Sequence, residues 1–417
     1  MLPPTTEPIP TKPGSSRSWI VPFIAIVFAM MAMQMSSLGF TPLLPAIQHE
    51  FAINYSQVGL FSGVYGLAAI VWSIPGGVLA KRYGEKNVLA IGLVVVTLGL
   101  TLLSFAPSFG LALSARVVWI TGYRVAFVCV MTAVAVAVPP AYRSTAMGIL
   151  GAMSSLATVI GAPFGTAIGV AFGWRNGILA FAGMALLGAL VFWIFYRRPE
   201  NAEFREPPAG HGIASAPDAS AFSNPLVWSM VLLGLTNMGG FSANFFVPSA
   251  VTSTFGLGPT VAAYIMSAAY VTAIFANILT GYLADRWNRW AVMIGIMLLL
   301  IPSCFAMMST NLVVFRVATA FVISLGLCAT NQIFAIAGEV MPGREMGPVM
   351  GIVSMGGGIF GYIGPQMLGI LRDRTGGYAA GWYFVAFGAL IGLVVILILK
   401  RAAGKPNMPQ MQVAAGA

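Results

Sequence analysis

Arg124 is the residue with the most to explain. It falls near the middle of an apolar stretch, Phe109–Val138, and no Asp or Glu lies mid-way along any comparable stretch to neutralise it. A charged side chain at the centre of a bilayer costs about 2.5–3.5 kcal/mol on insertion scales, and such residues turn towards partners or a water-filled cavity. A guanidinium presents five N–H donors in a planar fork that fits the oxygens of a carboxylate or another oxyanion. The chemistry predicted is binding of an anion at depth. Arg116 and Arg316 each stand early in their apolar stretches, Arg116 eight residues before Arg124 and partly aligned with it. For these two, anion binding weighs evenly against snorkelling to the interface or bonding to backbone carbonyls.

The other polar groups at depth are neutral. Gln34, Tyr65, Asn237 with Asn244, Tyr270 with Asn277, Asn331 with Gln332, and Tyr362 with Gln366 are candidates to line a solute path. The pairs Asn237/Asn244 and Tyr270/Asn277 are seven residues apart, a spacing that keeps each pair on one helix face. Taken singly, each is better explained by interhelical hydrogen bonding, worth about 0.6 kcal/mol on average. Met30, Met31, Met33 and Met35 lack His, Cys or carboxylate company and read as packing, not as soft-metal ligands. Cys129, Cys304 and Cys328 lie in apolar runs and read as core, while His49 and His211 fall in polar connectors. No metal and no other cofactor is expected. There is no Gly-x-x-x-x-Gly-Lys-Ser/Thr loop and no nucleophile–base set, so neither an ATP-driven pump nor an enzyme is expected.

Composition dictates the elements that must position these groups. The 417 residues are 58% hydrophobic and 8% charged, against about 25% charged in a soluble domain. That excludes an ordinary soluble fold, and the apolar content excludes disorder. The solvent is largely lipid. The net charge of +10 is scattered singly between apolar runs, so no nucleic-acid partner is expected. Twelve spans are predicted between Trp19 and Leu399, the first Trp19–Thr41 and the seventh Leu226–Val247. The predicted organisation is a disordered cytoplasmic tail over 1–18, a six-helix bundle over 19–196, a cytoplasmic linker over 197–225, a second bundle over 226–400 and a cytoplasmic tail over 401–417. Fifteen Lys and Arg fall on one side of the predicted spans. Arg175, Arg372 and Arg374 fall on the other, and three lie inside spans, which accounts for all 21. The positive-inside rule then puts both termini in the cytoplasm, with the plasma (bacterial inner) membrane the expected location.

The chain also repeats itself. Gly77-x-x-x-Lys81-Arg82-x-Gly84-x-Lys86 returns 204 residues later as Gly281-x-x-x-Asp285-Arg286-x-Asn288-Arg289. Gly161-x-Pro163 has a counterpart in Gly364-Pro365, Gly173-Trp174 in Gly381-Trp382, and Arg116 in Arg316. One order and nearly one offset argue for two related halves in parallel orientation.

On these residues the chain resembles the major facilitator superfamily of secondary transporters. The family's loop between helices two and three reads Gly-x-x-x-Asp-Arg-x-Gly-Arg-Lys/Arg. Lys81 replaces the Asp in the first copy, and Asn288 replaces the second Gly in the other. The resemblance implies an all-α polytopic membrane protein with 12 transmembrane helices in two pseudo-symmetric six-helix bundles, working by alternating access. It implies a cytoplasmic latch at Gly77, Lys81, Arg82, Gly84, Lys86, Gly281, Asp285, Arg286 and Arg289, with the stronger charge pair at Asp285. Arg116 and Arg316 match positions where the family commonly carries an Arg in helix four and its repeat. The stretch from Gly364 to Tyr378 loosely resembles organic-anion branches. Nitrate carriers of the family place arginines within helices two and eight, and neither span here has one mid-helix, which points away from nitrate.

The expectation is therefore a monomeric carrier of a small anionic solute, an exchanger or uniporter, with Arg124, Arg116, Arg316, Gln34, Tyr65, Asn237, Asn244, Tyr270, Asn277, Asn331 and Tyr362 at its binding site. The alternatives are an efflux carrier for lipophilic or cationic compounds, and a transporter-like receptor or assembly factor without flux. The lack of mid-span carboxylates speaks against a proton/drug antiporter.

Overall fold

The computed structural model describes residues 19–139, 142–197, 225–340 and 346–403. Every regular element among them is helical. The chain forms α1 (Ile20–Gly39), α2 (Leu44–Glu50), α3 (Tyr55–Tyr83), α4 (Glu85–Ser104), α5 (Phe109–Ala137), α6 (Arg143–Phe172) and α7 (Trp174–Phe195). Its second half forms α8 (Pro225–Leu233), α9 (Asn237–Ser253), α10 (Pro259–Arg286), α11 (Arg289–Ala306), α12 (Leu312–Val340), α13 (Met346–Thr375) and α14 (Ala379–Ala403). Among the described residues ten helical segments are long and apolar enough to cross a membrane, and α3, bent near Pro75, makes an eleventh. The 30-residue α13 stands in the place of the remaining predicted span.

Local chemistry explains the breaks. Gly84 separates α3 from α4 at φ 81°, a left-handed conformation that glycine adopts without steric cost. At the equivalent break Asn288 is extended, and its side chain accepts from the N–H groups of Trp290 and Ala291. An asparagine cap thus replaces the glycine turn. Two predicted spans needed correction. The first continues past Thr41 through a 3₁₀ turn, Thr41–Leu43, into α2, because Pro42 and Pro45 sit at helix starts, where proline is tolerated. The seventh is broken by a 3₁₀ turn at Gly234–Thr236 and runs on to Ser253. Residues 1–18, 198–224 and 404–417, which carry the expected tails and linker, lie outside the described residues.

Helices α1 and α3–α7 pack into one bundle and α8–α14 into the other. The two meet along two seams, α3 against α13 and α6 against α10. The first seam is backbone against backbone. A Cβ on Gly59 would lie 2.7 Å from the Pro365 carbonyl oxygen, and Cβ atoms on Gly66 and Gly369 would overlap the carbonyl oxygens of Gly358 and Tyr55. Small residues are what permit this approach in lipid. Helix α3 also fixes the two ends of the molecule: the Asp373 end, where Tyr55 begins it, and the Lys81 end, where Tyr83 closes it.

Candidate functional site

Helix α5 starts at the Asp373 end. At 1.5 Å per residue, Arg124 lies about 22 Å along it. The residue is half-buried. Nη2 donates to the Tyr65 carbonyl oxygen at 3.0 Å, and the guanidinium carbon lies 4.0 Å from the centre of the Tyr65 ring. Nε has no partner among the described residues. The hydroxyls of Tyr65 and Tyr123 are 3.3 Å apart, Tyr123 donates to Gln34 Oε1, and Gln34 Nε2 donates to Ser154 Oγ at 2.5 Å. Four helices, α1, α3, α5 and α6, thus supply one connected polar cluster. From the other bundle, the Phe241 ring of α9 packs tilted against Tyr65 with ring centres 5.4 Å apart.

The electrostatics follow from what the carboxylates do elsewhere. Glu50 takes hydrogen bonds from Trp174 and Arg175, Glu85 from Tyr196 at 2.9 Å, and Asp373 from the start of α3. Asp285 pairs with Arg289 at 3.6 Å. All four stand near helix ends. The Tyr65 ring supports the face of the Arg124 guanidinium, a cation–π contact worth about 2 kcal/mol when desolvated. Its edge donors can meet an oxyanion, with the tyrosine hydroxyls alongside.

The second bundle contributes amides that bond to neighbouring side chains and backbone carbonyls. Asn244 accepts from the Tyr270 hydroxyl at 2.8 Å and donates to the Gly240 carbonyl. Asn237 accepts from Thr330. Asn331 donates to Asn277 at 2.7 Å, and Asn277 donates to the Ala273 carbonyl. The seven-residue pairs therefore divide between separate networks. Tyr362 packs its ring on Gly63 across the α3–α13 seam.

The other two arginines do not join the Arg124 cluster. Arg116 has no exposed surface and sits 4.6, 5.3 and 4.1 Å from the ring centres of Phe40, Phe61 and Trp119. Its hydrogen bond runs from Nε to the Phe61 carbonyl at 3.4 Å, and neither terminal nitrogen has a partner among the described residues. Arg316 corrects the expected site. Helix α12 turns Phe315, Ala318 and Thr319 inward and leaves Arg316 exposed beside Val313 and Val317. Sequence reasoning missed Tyr123, Ser154, Phe241 and Thr330. Only Tyr123 carried a signal, as a polar ring adjoining the buried charge.

At the Lys81 end, Arg82 lies over Tyr83 at 5.4 Å and Lys86 over Trp193 at 4.9 Å. In the repeat, Arg286 donates to the Tyr282 hydroxyl and Arg289 to the Ala335 carbonyl at 3.3 Å. Each of these contacts stays within one bundle. Lys81 is exposed there, and Gly77 and Gly281 lie inside α3 and α10.

Comparison with known proteins agrees with this architecture. The family model described as Major Facilitator Superfamily matches the chain twice, over residues 23–250 and 230–413. A relative from Agrobacterium vitis, named for tartrate transport, is 23% identical over 93% of this chain and 90% of its own length. A Staphylococcus epidermidis relative named for nitrate transport is 24% identical over 91% and 95%. The fold is shared with the crystal structure of a bacterial homologue of the human lysosomal transporter Spinster. That structure has a TM-score of 0.79 and 16% identity, covering 93% of this chain and 98% of that one.

Proposed function

The chain belongs to the Major Facilitator Superfamily, and on that premise we propose that it carries a small oxyanion, an organic carboxylate foremost, across the membrane by alternating access. The observation that carries this reading is Arg124, a positive charge at depth whose neighbours are tyrosine rings and a carbonyl oxygen. An anion at its guanidinium edge supplies the missing counter-charge. Tyr65, Tyr123 and Gln34 hold that guanidinium in place, and Asn237, Asn244, Tyr270, Asn277, Asn331 and Tyr362 form the facing wall. Relatives named for tartrate and nitrate transport support an anionic cargo. The arginines of α3 and α10 stand only in their last turns, which favours the carboxylate over nitrate. With no mid-span acid to relay protons, exchange or uniport fits better than proton symport.

The orientation that suits this reading puts the Lys81 end and both termini in the cytoplasm of a bacterial plasma membrane, and the Asp373 end outside. The protein then works as a monomer, with bundles over 19–196 and 226–400.

The test is uptake of radiolabelled tartrate into proteoliposomes. The wild-type protein takes it up and Arg124→Lys does so weakly. Arg124→Gln loses roughly 10- to 150-fold, the equivalent of about 1.5–3 kcal/mol for a hydrogen bond to a charged group. A folded Arg124→Gln protein with undiminished uptake overturns the assignment. Transport of lipophilic cations in place of anions would move the reading to efflux.

A further inference from the structure

The start of α3 carries a contact that the binding site does not use. Asp373, at the far end of α13 in the other bundle, accepts from the backbone N–H of Tyr55 at 2.9 Å and of Ser56 at 2.7 Å, and from the Ser56 hydroxyl. The first N–H groups of a helix have no partner within it, and a carboxylate there is favoured by the helix dipole as well. Such a contact could simply cap a helix. Here α3 already has its own cap. Asn54 Oδ1 accepts from the Gln57 N–H at 2.9 Å, and the Gln57 side chain accepts from the Asn54 N–H at 3.0 Å. This reciprocal capping box satisfies α3 locally. Asp373 takes the two donors that the box leaves over, and it takes them from the opposite bundle.

The surroundings brace this junction. Arg372 lies 4.8 Å from the ring centres of both Tyr55 and Tyr378, which themselves meet edge to face at 5.9 Å. Tyr378, outside the spans, shares a hydrogen bond with Ser253 at 3.3 Å, and burial pushes its pKa up, keeping it neutral. One turn further on, Gly369 lies against the Tyr55 carbonyl. We infer that Asp373 is the releasable lock of this end of the transporter. It caps α3 across the bundle interface when the end is closed and lets go when the end opens. Because the capping box stays behind, opening does not unravel α3. The inference rests on family membership and not on the identity of the cargo, so it survives if the anion assignment fails.

The test is double electron–electron resonance on the purified full chain. Spin labels go on Ala46→Cys in α2 and Thr375→Cys in α13, both exposed at this end, while the native cysteines are buried. Asp373→Ala is expected to raise the population with a long label separation, relative to the short one, by about two- to thirtyfold. That is the range for loss of a capping partner. Ser56→Ala, which removes only the hydroxyl contact, moves it the same way by less. The melting temperature of both variants stays near that of the labelled parent. An unchanged distance distribution in Asp373→Ala overturns the inference, whether or not its melting temperature falls.

Discussion

Arg116 and Arg124 lie eight residues apart on α5, and their surroundings differ in kind. Around Arg116 the chain has built a wall of Phe40, Phe61 and Trp119 and excluded solvent from the whole side chain. Around Arg124 it has placed hydroxyls, an amide and a carbonyl, and left the residue half-buried. Three aromatic faces answer the first charge without any oxygen beyond the Phe61 carbonyl. The second is held by its face and one nitrogen, which leaves edge donors for a partner. Depth alone therefore does not make an arginine a binding residue. What distinguishes the two is whether the donors face rings or polar groups.

The comparison is sharpened first by reversing the charge. Arg124→Glu puts a carboxylate where the proposed anion's oxygens would lie, and like charges in a poorly solvated contact cost several kcal/mol. Anion uptake is expected to fall at least 100-fold in proteoliposomes. Arg116→Met is the matched variant, since it keeps an unbranched apolar stem and removes the charge. Replacing even a buried ion pair by apolar residues is often neutral or stabilising, by about 1–4 kcal/mol, and Arg116 gives up only one hydrogen bond, to the Phe61 carbonyl. Thermal denaturation in detergent should show a midpoint at or above the wild type, with uptake preserved within a few-fold. Loss of anion affinity in a stable Arg116→Met protein would break the comparison.

Smaller effects follow outward from the cluster. Tyr123→Phe removes the hydroxyl that joins Tyr65 to Gln34. At about 0.5–1.5 kcal/mol for a neutral hydrogen bond, KM should rise roughly 2- to 12-fold. Asn277→Ala breaks the pair with Asn331 in the second bundle. Interhelical bonds of this kind average about 0.6 kcal/mol, so uptake should change by no more than about threefold.

Much of this was legible in the sequence, for definable reasons. A charge inside an apolar run must be accounted for wherever the run packs, so Arg124 stood out before any fold was known. The charges that follow Gly77 and Gly281 in the repeat located the ends of α3 and α10, because charged side chains are costly in the bilayer core. Faces were harder to read. Arg316 matches Arg116 in register but points outward, since the rotation of α12 is set by which of Phe315, Ala318 and Val317 its neighbours accept. Asn237 and Asn244 share a spacing but not a network, because the partners that separate them, Thr330 and Tyr270, come from two other helices. The cap that Asp373 places on α3 joins residues 317 and 318 positions apart, beyond the reach of any local pattern.

The most direct test of the account is equilibrium binding, free of any transport step. Purified wild-type, Arg116→Met and Arg124→Gln proteins would be titrated with tartrate while the thermal midpoint is followed. A ligand that binds the folded state raises apparent stability by about 2.7 kcal/mol at 100 times Kd. The expected result is a saturable upward shift for the wild type and Arg116→Met, and for Arg124→Gln a shift that needs roughly 10- to 150-fold more tartrate. A shift in Arg124→Gln at the same tartrate concentrations as the wild type, or its loss in Arg116→Met alone, would contradict it.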